Sequence, residues 1–154
     1  VQSETLLKSS PSGAGRSGVA RPKTVSAGVL DAGVAIGLLQ RRRRSFARLE
    51  RLFHRCREGK YRLSISVVNR AEVLIHTDQV SRSTGVDILA VLRSYGVEVH
   101  YPDEGIARRV AKLKTSLADG FAAATALQLG RRLHTTDREL ARQLKGVPLA
   151  MSHY

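Results

Sequence analysis

The chain has 154 residues, with 26 Lys and Arg against 13 Asp and Glu, for a formal net charge of +13. That length suits one domain with a buried core, and the charge favours a polyanionic partner, nucleic acid ahead of an anionic membrane surface. A single cysteine, Cys56, excludes a disulfide framework and a multi-cysteine zinc site, and no apolar run reaches the length of a membrane span or a signal-peptide core. The expectation is a soluble, cytoplasmic, basic domain.

Residues 1–25 read as a flexible basic tail, dominated by Ser, Gly, Pro, Arg and Lys, and residues 26–154 as the folded domain. The tail contains Gly13-Ala-Gly15-Arg-Ser-Gly18, which matches a dinucleotide-binding fingerprint in letters only. That motif works after a strand and at a helix start, whereas here a polar, Pro-containing segment precedes it and Pro22 follows. The Ser-rich, acid-poor leader also has the flavour of an organellar transit peptide, and the opening Val leaves an overextended start as another origin for it.

Order is expected from about Thr24. Ala27–Leu30 predicts a short buried strand closed by Asp31, with a helix over Val34–Gln40. Arg41–Arg44 is a run of four like charges that must stay exposed. The next helix, Ser45–Arg57, puts Phe46, Leu49, Leu52, Phe53 and Cys56 on one face and Arg48, Arg51 and Arg55 on the other. Joined to Arg41, Arg42, Arg43 and Arg44, those three form a stripe suited to phosphates, although a merely solvated face fits equally well. Tyr61–Ile65 predicts a second strand. Ser66 then caps a helix to about His76 that carries Glu72 among apolar neighbours, with Arg70 and His76 as alternative surface partners for it. A further helix is expected from Ser81 or Ser83, with Val86, Leu89 and Leu92 inward. A third strand follows at Val97–His100, then a helix from Pro102-Asp103 carrying Ile106, Val110 and Leu113.

The stretch Ser116–Leu140 organises the rest. Ser116 caps a helix with Asp119 in its first turn, and Ala122, Ala123, Ala124 and Ala126 keep it thin enough to lie close to a sheet. Gly130 stops it. Leu133 and His134 read as a strand, Thr135-Thr136-Asp137 opens the helix Arg138–Leu144, and Val147–Ala150 predicts a closing strand. The alternation of strands and helices predicts an α/β fold: a central parallel sheet with helices on both faces.

Asp31, Glu72, Asp119 and Asp137 come from four separate strand–helix units, and each alone also fits an ordinary structural role such as a helix cap. In an open parallel sheet, strand C-termini and helix starts share a crevice where ligands bind. Four carboxylates meeting there need a counter-charge, and an all-oxygen set selects Mg²⁺ or Mn²⁺. Such a metal activates water and stabilises charge on a phosphodiester. Ser66 and Thr135 are placed to orient the carboxylates.

At these residues the chain resembles the PIN-domain family, and within it the VapC-type ribonuclease toxins. The matching pieces are Val29-Leu-Asp31-Ala, Ile65-Ser66 with Ala71-Glu72-Val73-Leu74, Leu117-Ala-Asp119 running into Ala122-Ala-Ala-Thr125-Ala126, and Thr135-Thr-Asp137. The resemblance implies a Mg²⁺-dependent endoribonuclease with Asp31, Glu72, Asp119 and Asp137 around the metal. It also implies homodimerisation and inhibition by a small cognate antitoxin. Gly33 departs from it, because the family often has Ser or Thr there. A haloacid-dehalogenase-type phosphatase would need Asp-x-Asp where Asp31-Ala-Gly33 stands. A receiver domain would need paired acids at the first strand and a Lys after a late one. An idle RNA-binding module on the same fold is the remaining alternative.

Overall fold

The computed structural model describes residues 24–41 and 43–154. The leader with its Gly13–Gly18 pattern and its transit-peptide flavour, and Arg42, lie outside the described residues. In chain order the elements are β1 (Ala27–Leu30), α1 (Ala32–Gly37), α2 (Phe46–Arg57), β2 (Arg62–Ser66), α3 (Val67–Thr84), α4 (Ile88–Ser94), β3 (Glu98–His100), α5 (Glu104–Lys112), α6 (Leu117–Leu129), β4 (Arg132–Thr135), α7 (Arg138–Gln143) and β5 (Met151–His153). The strands form one parallel sheet in the order β3-β2-β1-β4-β5. No helix among the described residues is long and apolar enough to cross a membrane.

Strand side chains alternate between two faces, and the sheet has a core on each. Leu30, Leu63 and Ile65 pack with Leu49, Phe53, Val73, Ile88 and Leu92 of the helices on one side. Val29 and Leu133 pack with Ala122, Ala123, Ala126, Leu140 and Leu144 on the other. Ala122, Ala123, Ala124 and Ala126 of α6 are fully buried, which lets this helix sit against the sheet with no bulky spacer. Coverage on both faces is why β1, Ala27-Gly-Val-Leu30, reads as a continuous apolar run.

Three boundaries differ from expectation, each for a local reason. The first helix covers Ala32–Gly37, not Val34–Gln40, because Asp31 itself is the N-cap and residues 38–40 continue only as i→i−3 turns. The helix carrying Glu72 runs on past His76 to Thr84, so neither Ser81 nor Ser83 starts a helix. Thr77 bonds back to the Val73 carbonyl and Ser83 and Thr84 to that of Val80, so these hydroxyls stay within the helical pattern. Gly85, at φ 70°, ends it, and Asp87 caps the next. The last strand is Met151–His153 rather than Val147–Ala150. The earlier segment is taken up in turns, with Val147 N–H on the Leu144 carbonyl and Leu149 N–H on that of Val147, and Pro148 has no N–H to offer.

Gly28 allows a close approach at the sheet centre. A Cβ there would lie 2.3 Å from His134 Nε2, inside a buried chain in which His134 contacts the Tyr61 hydroxyl through Nε2 and the Tyr154 hydroxyl through Nδ1, each at 2.9 Å. Gly28→Ala should therefore cost about 1–3 kcal/mol by overpacking. A denaturant midpoint equal to wild type would contradict this packing account.

Candidate metal centre

The β1 neighbours lie on opposite sides, β2 and β4, so the chain's direction of winding switches at the C-terminal end of β1. Such a switch opens a crevice, and Asp31 stands in it, 6 % exposed. Its Oδ1 accepts from Gly33 N–H at 2.6 Å, and its Oδ2 accepts from the Thr135 hydroxyl. Thr135 Oγ1 also accepts from Asp137 N–H at 2.9 Å, which ties the β4–α7 junction to the same carboxylate. Burial raises the Asp31 pKa from 3.8 to about 6. The Thr135 and Gly33 bonds oppose the rise, and the charges of Asp119 and Glu72 add to it. The structure thus brings Glu72 and Asp119 each within electrostatic reach of Asp31.

The other acids are held differently. Ser116 Oγ accepts from Asp119 N–H at 3.3 Å and donates to Asp119 Oδ2 at 2.6 Å, a reciprocal cap that fixes this carboxylate at the start of α6. Glu72 is half-buried in α3 and makes no ion pair with Arg70 or His76 among the described residues. Asp137 is exposed and accepts from Glu139 and Leu140 N–H at 2.7 and 3.3 Å, capping α7. It is not among the largest influences on the Asp31 carboxyl. Ser66 is buried and caps α3 through Val68 N–H, and its hydroxyl has no carboxylate partner among the described residues. Thr135, by contrast, touches Asp31 directly.

Two further side chains belong to this neighbourhood. Asn69 is 1 % exposed and donates from Nδ2 to the Ala118 carbonyl at 3.0 Å, pinning α3 to the turn that carries Asp119, while its Oδ1 is buried with no partner. Thr136 Oγ1 lies 2.3 Å from where a Gly33 Cβ would stand, so the space a side chain at 33 would fill already holds a hydroxyl. Both contacts join residues far apart in sequence. Only the Asn three residues before Glu72, one helical turn away, hints at either.

Among the described residues no three Asp, Glu, His or Cys side chains form a ready-made ion cage. The donor chemistry nonetheless fits a hard cation. A buried carboxylate pushed toward its neutral form, with two other acids adding to the push, is a place short of positive charge, and an orphaned amide oxygen lies on the helix that carries one of them.

Around this acidic crevice the surface is basic. Arg41, Arg43 and Arg44 are exposed in the loop before α2, and Arg48, Arg51 and Arg55 are exposed along it. Arg48 donates to the His153 carbonyl at 3.0 Å and lies over the Tyr154 ring, while Arg55 lies over the Tyr61 ring.

A model of the PIN domain matches residues 28–145. No curated protein matches the chain. Solved structures share the fold. VapBC-1 from nontypeable Haemophilus influenzae has 23 % identity and a TM-score of 0.57, covering 82 % of this chain and 97 % of that one. A toxin–antitoxin complex from Klebsiella pneumoniae has 19 % identity and a TM-score of 0.60, covering 82 % and 98 %. VapC20 from Mycobacterium tuberculosis, a sarcin–ricin loop cleaving toxin, has 14 % identity and a TM-score of 0.58, covering 75 % and 93 %. The family model spans the sheet from β1 through β4 and all four acids, and on that match the chain belongs to the PIN domain family.

Proposed function

We propose that this protein is a divalent-metal-dependent endoribonuclease, the toxin of a type II toxin–antitoxin pair. One observation carries the reading: a buried Asp31, raised to about 6 in part by the charges of Glu72 and Asp119, sits in the switch crevice of a chain whose net charge is +13. Asp31, Glu72 and Asp119 would hold Mg²⁺ or Mn²⁺, with Asp137 at the rim. A bound ion there supplies an activated water and neutralises charge on the phosphodiester. The chain's own residues set the geometry. Thr135 and Gly33 N–H fix both oxygens of Asp31, Ser116 fixes Asp119, and Asn69 clamps the helix of Glu72 to the turn of Asp119.

The partners follow from the same reading. The neighbours from Haemophilus influenzae and Klebsiella pneumoniae are toxin–antitoxin assemblies. An apolar groove of about 430 Å³ between Leu38, Leu39, Phe46, Val80, Val86 and Tyr95 would receive apolar side chains of a small antitoxin. The exposed Leu74 and Ile75 on α3 suit a self-association face for a homodimer. An idle RNA-binding module on this fold is the second reading, favoured by the engagement of Asp119 and Asp137 in their own helix caps.

Asp119→Asn separates the two. It should lower RNA cleavage by roughly 10²–10³-fold while RNA affinity, measured in EDTA, stays at the wild-type value. Cleavage at the wild-type rate would remove Asp119 from the metal site, and a wild-type protein that binds RNA without cutting it would establish the idle module.

A further inference from the structure

Two depressions outside the carboxylate crevice share a wall. The first, of about 420 Å³, is bounded by Arg43, Arg44, Arg48, Thr136, Arg138 and His153. The second, of about 260 Å³, continues along α2 past Arg51 and Arg55, and Arg48 and Tyr154 border both. No acid among the described residues lines either one. Elsewhere Arg62, Arg82, Arg93, Arg108 and Arg142 pair with carboxylates, whereas none of the arginines of these two depressions does so among the described residues.

The position gives this basic path a direction. Arg138 follows Asp137 at the start of α7, and Thr136 packs on Gly33, two residues from Asp31, so the first depression begins at the lip of the acidic crevice. Arg48, Arg51 and Arg55 then carry positive charge along about 10 Å of α2. Two of the cations are held in place: Arg48 by the His153 carbonyl and the Tyr154 ring, Arg55 by the Tyr61 ring. Both rings also bond His134 through their hydroxyls. Because guanidiniums already lie over these rings, the path offers fixed charges rather than free aromatic faces. That chemistry reads phosphates, not bases.

We propose that the two depressions form one phosphate track that binds the backbone of a single RNA strand and leads it into the carboxylate crevice, with Arg138 and Arg44 as contacts at the crevice end. The identity of the polyanion rests on the ribonuclease reading, whereas the track itself stands on the pocket geometry.

The test uses the full chain and a fluorescein-labelled single-stranded RNA 12-mer in EDTA, with affinity read by anisotropy across a KCl series. Arg44 and Arg138 make no side-chain hydrogen bond or ion pair among the described residues, so Arg44→Gln and Arg138→Gln leave the packing alone. The slope of log K against log salt should shrink by about 0.7 for each and by about 1.4 for the pair. Arg109→Gln, on exposed α5, should leave it unchanged. An unaltered slope in the double variant overturns the track, as does displacement of the RNA by polyglutamate as readily as by polyphosphate, which would mark an acidic protein as the occupant. Cleavage by the wild type is scored separately in Mn²⁺. If the slopes fall as expected and no cutting occurs, the track stands and the nuclease reading fails. If cutting occurs with slopes unmoved, the track fails and the nuclease reading stands.

Discussion

Asp31→Asn should make the metal-free protein more stable at pH 7.5 by about 1–2 kcal/mol, a few degrees in melting temperature. A carboxylate whose pKa rises from 3.8 to about 6 on folding is penalised whenever it is ionised, by roughly 3 kcal/mol at neutral pH if nothing compensates. The Asn amide keeps the Gly33 contact through Oδ1, and the Thr135 contact reverses, with Nδ2 donating to Oγ1 where the hydroxyl had donated to the carboxylate, while the side chain carries no charge. The gain falls short of the full penalty because the carboxylate's charge-assisted hydrogen bonds are stronger than those of an amide. On the proposed metal reading, the same substitution should erase the stabilisation by Mg²⁺ or Mn²⁺, since an ion stabilises the folded state only at concentrations above its dissociation constant. Thermal melts of both proteins, with and without metal, check this. A variant less stable than wild type in EDTA would show that Asp31 is a structural cap and not a strained ligand.

Acid should reveal a second, opposite effect of similar size. His134 is buried between Tyr61 and Tyr154, and burial first, then the charges of Arg132 and Arg55, lowers its pKa from 6.5 to about 4. For such a group the unfolded chain takes up the proton first. Its contribution is intact above pH 6.5 and is lost as pH falls toward 4, by roughly 3 kcal/mol in all. Asp31 works the other way in nearly the same window. As pH falls from about 6 to 3.8 the folded state takes up its proton first, and the ionisation penalty disappears. In the metal-free wild type the two should largely cancel, leaving stability nearly flat between pH 6 and 4 as far as these groups decide it. Asp31→Asn removes one side of the balance and should become acid-labile by about 3 kcal/mol across that range. On the proposed metal reading, added Mg²⁺ keeps Asp31 ionised and should make wild type behave likewise. Urea midpoints at several pH values read this directly. Parallel pH profiles for wild type and Asp31→Asn would contradict the opposed pair.

The parts of this architecture that are local in sequence were legible in it. Asp31 after Ala27–Leu30, Ser116 before Asp119, and Asp137 after a short strand each sit within a few residues of the backbone groups they cap, so spacing alone places them. The buried alanine face of α6 and the arginine face of α2 follow from helical periodicity. What stayed hidden depends on contacts across the chain. Asn69 reaches Ala118, Thr136 fills the space above Gly33, and Arg138 joins Arg43, Arg44 and Arg48 only because β4 lies beside β1. The extent of α3 is hidden because Ser81 and Ser83 read as helix starts, yet Ser83, like Thr77 and Thr84, bonds within the same helix. The last strand lies beyond the apolar run Val147–Ala150 because Pro148 has no N–H to give a ladder. Ser66 Oγ accepts the cap bond from Val68 N–H and touches no carboxylate among the described residues, whereas Thr135 reaches Asp31 from the neighbouring strand.

The central claim is that Asp31 and the acids beside it bind a divalent cation that cuts RNA. The most direct measurement is cleavage of a mixed RNA pool by the purified protein in Mg²⁺ or Mn²⁺ and in EDTA, beside Asp31→Asn. Discrete cutting that requires both the metal and Asp31 is the predicted result. Cutting that survives EDTA, or that Asp31→Asn performs at the wild-type rate, would contradict it.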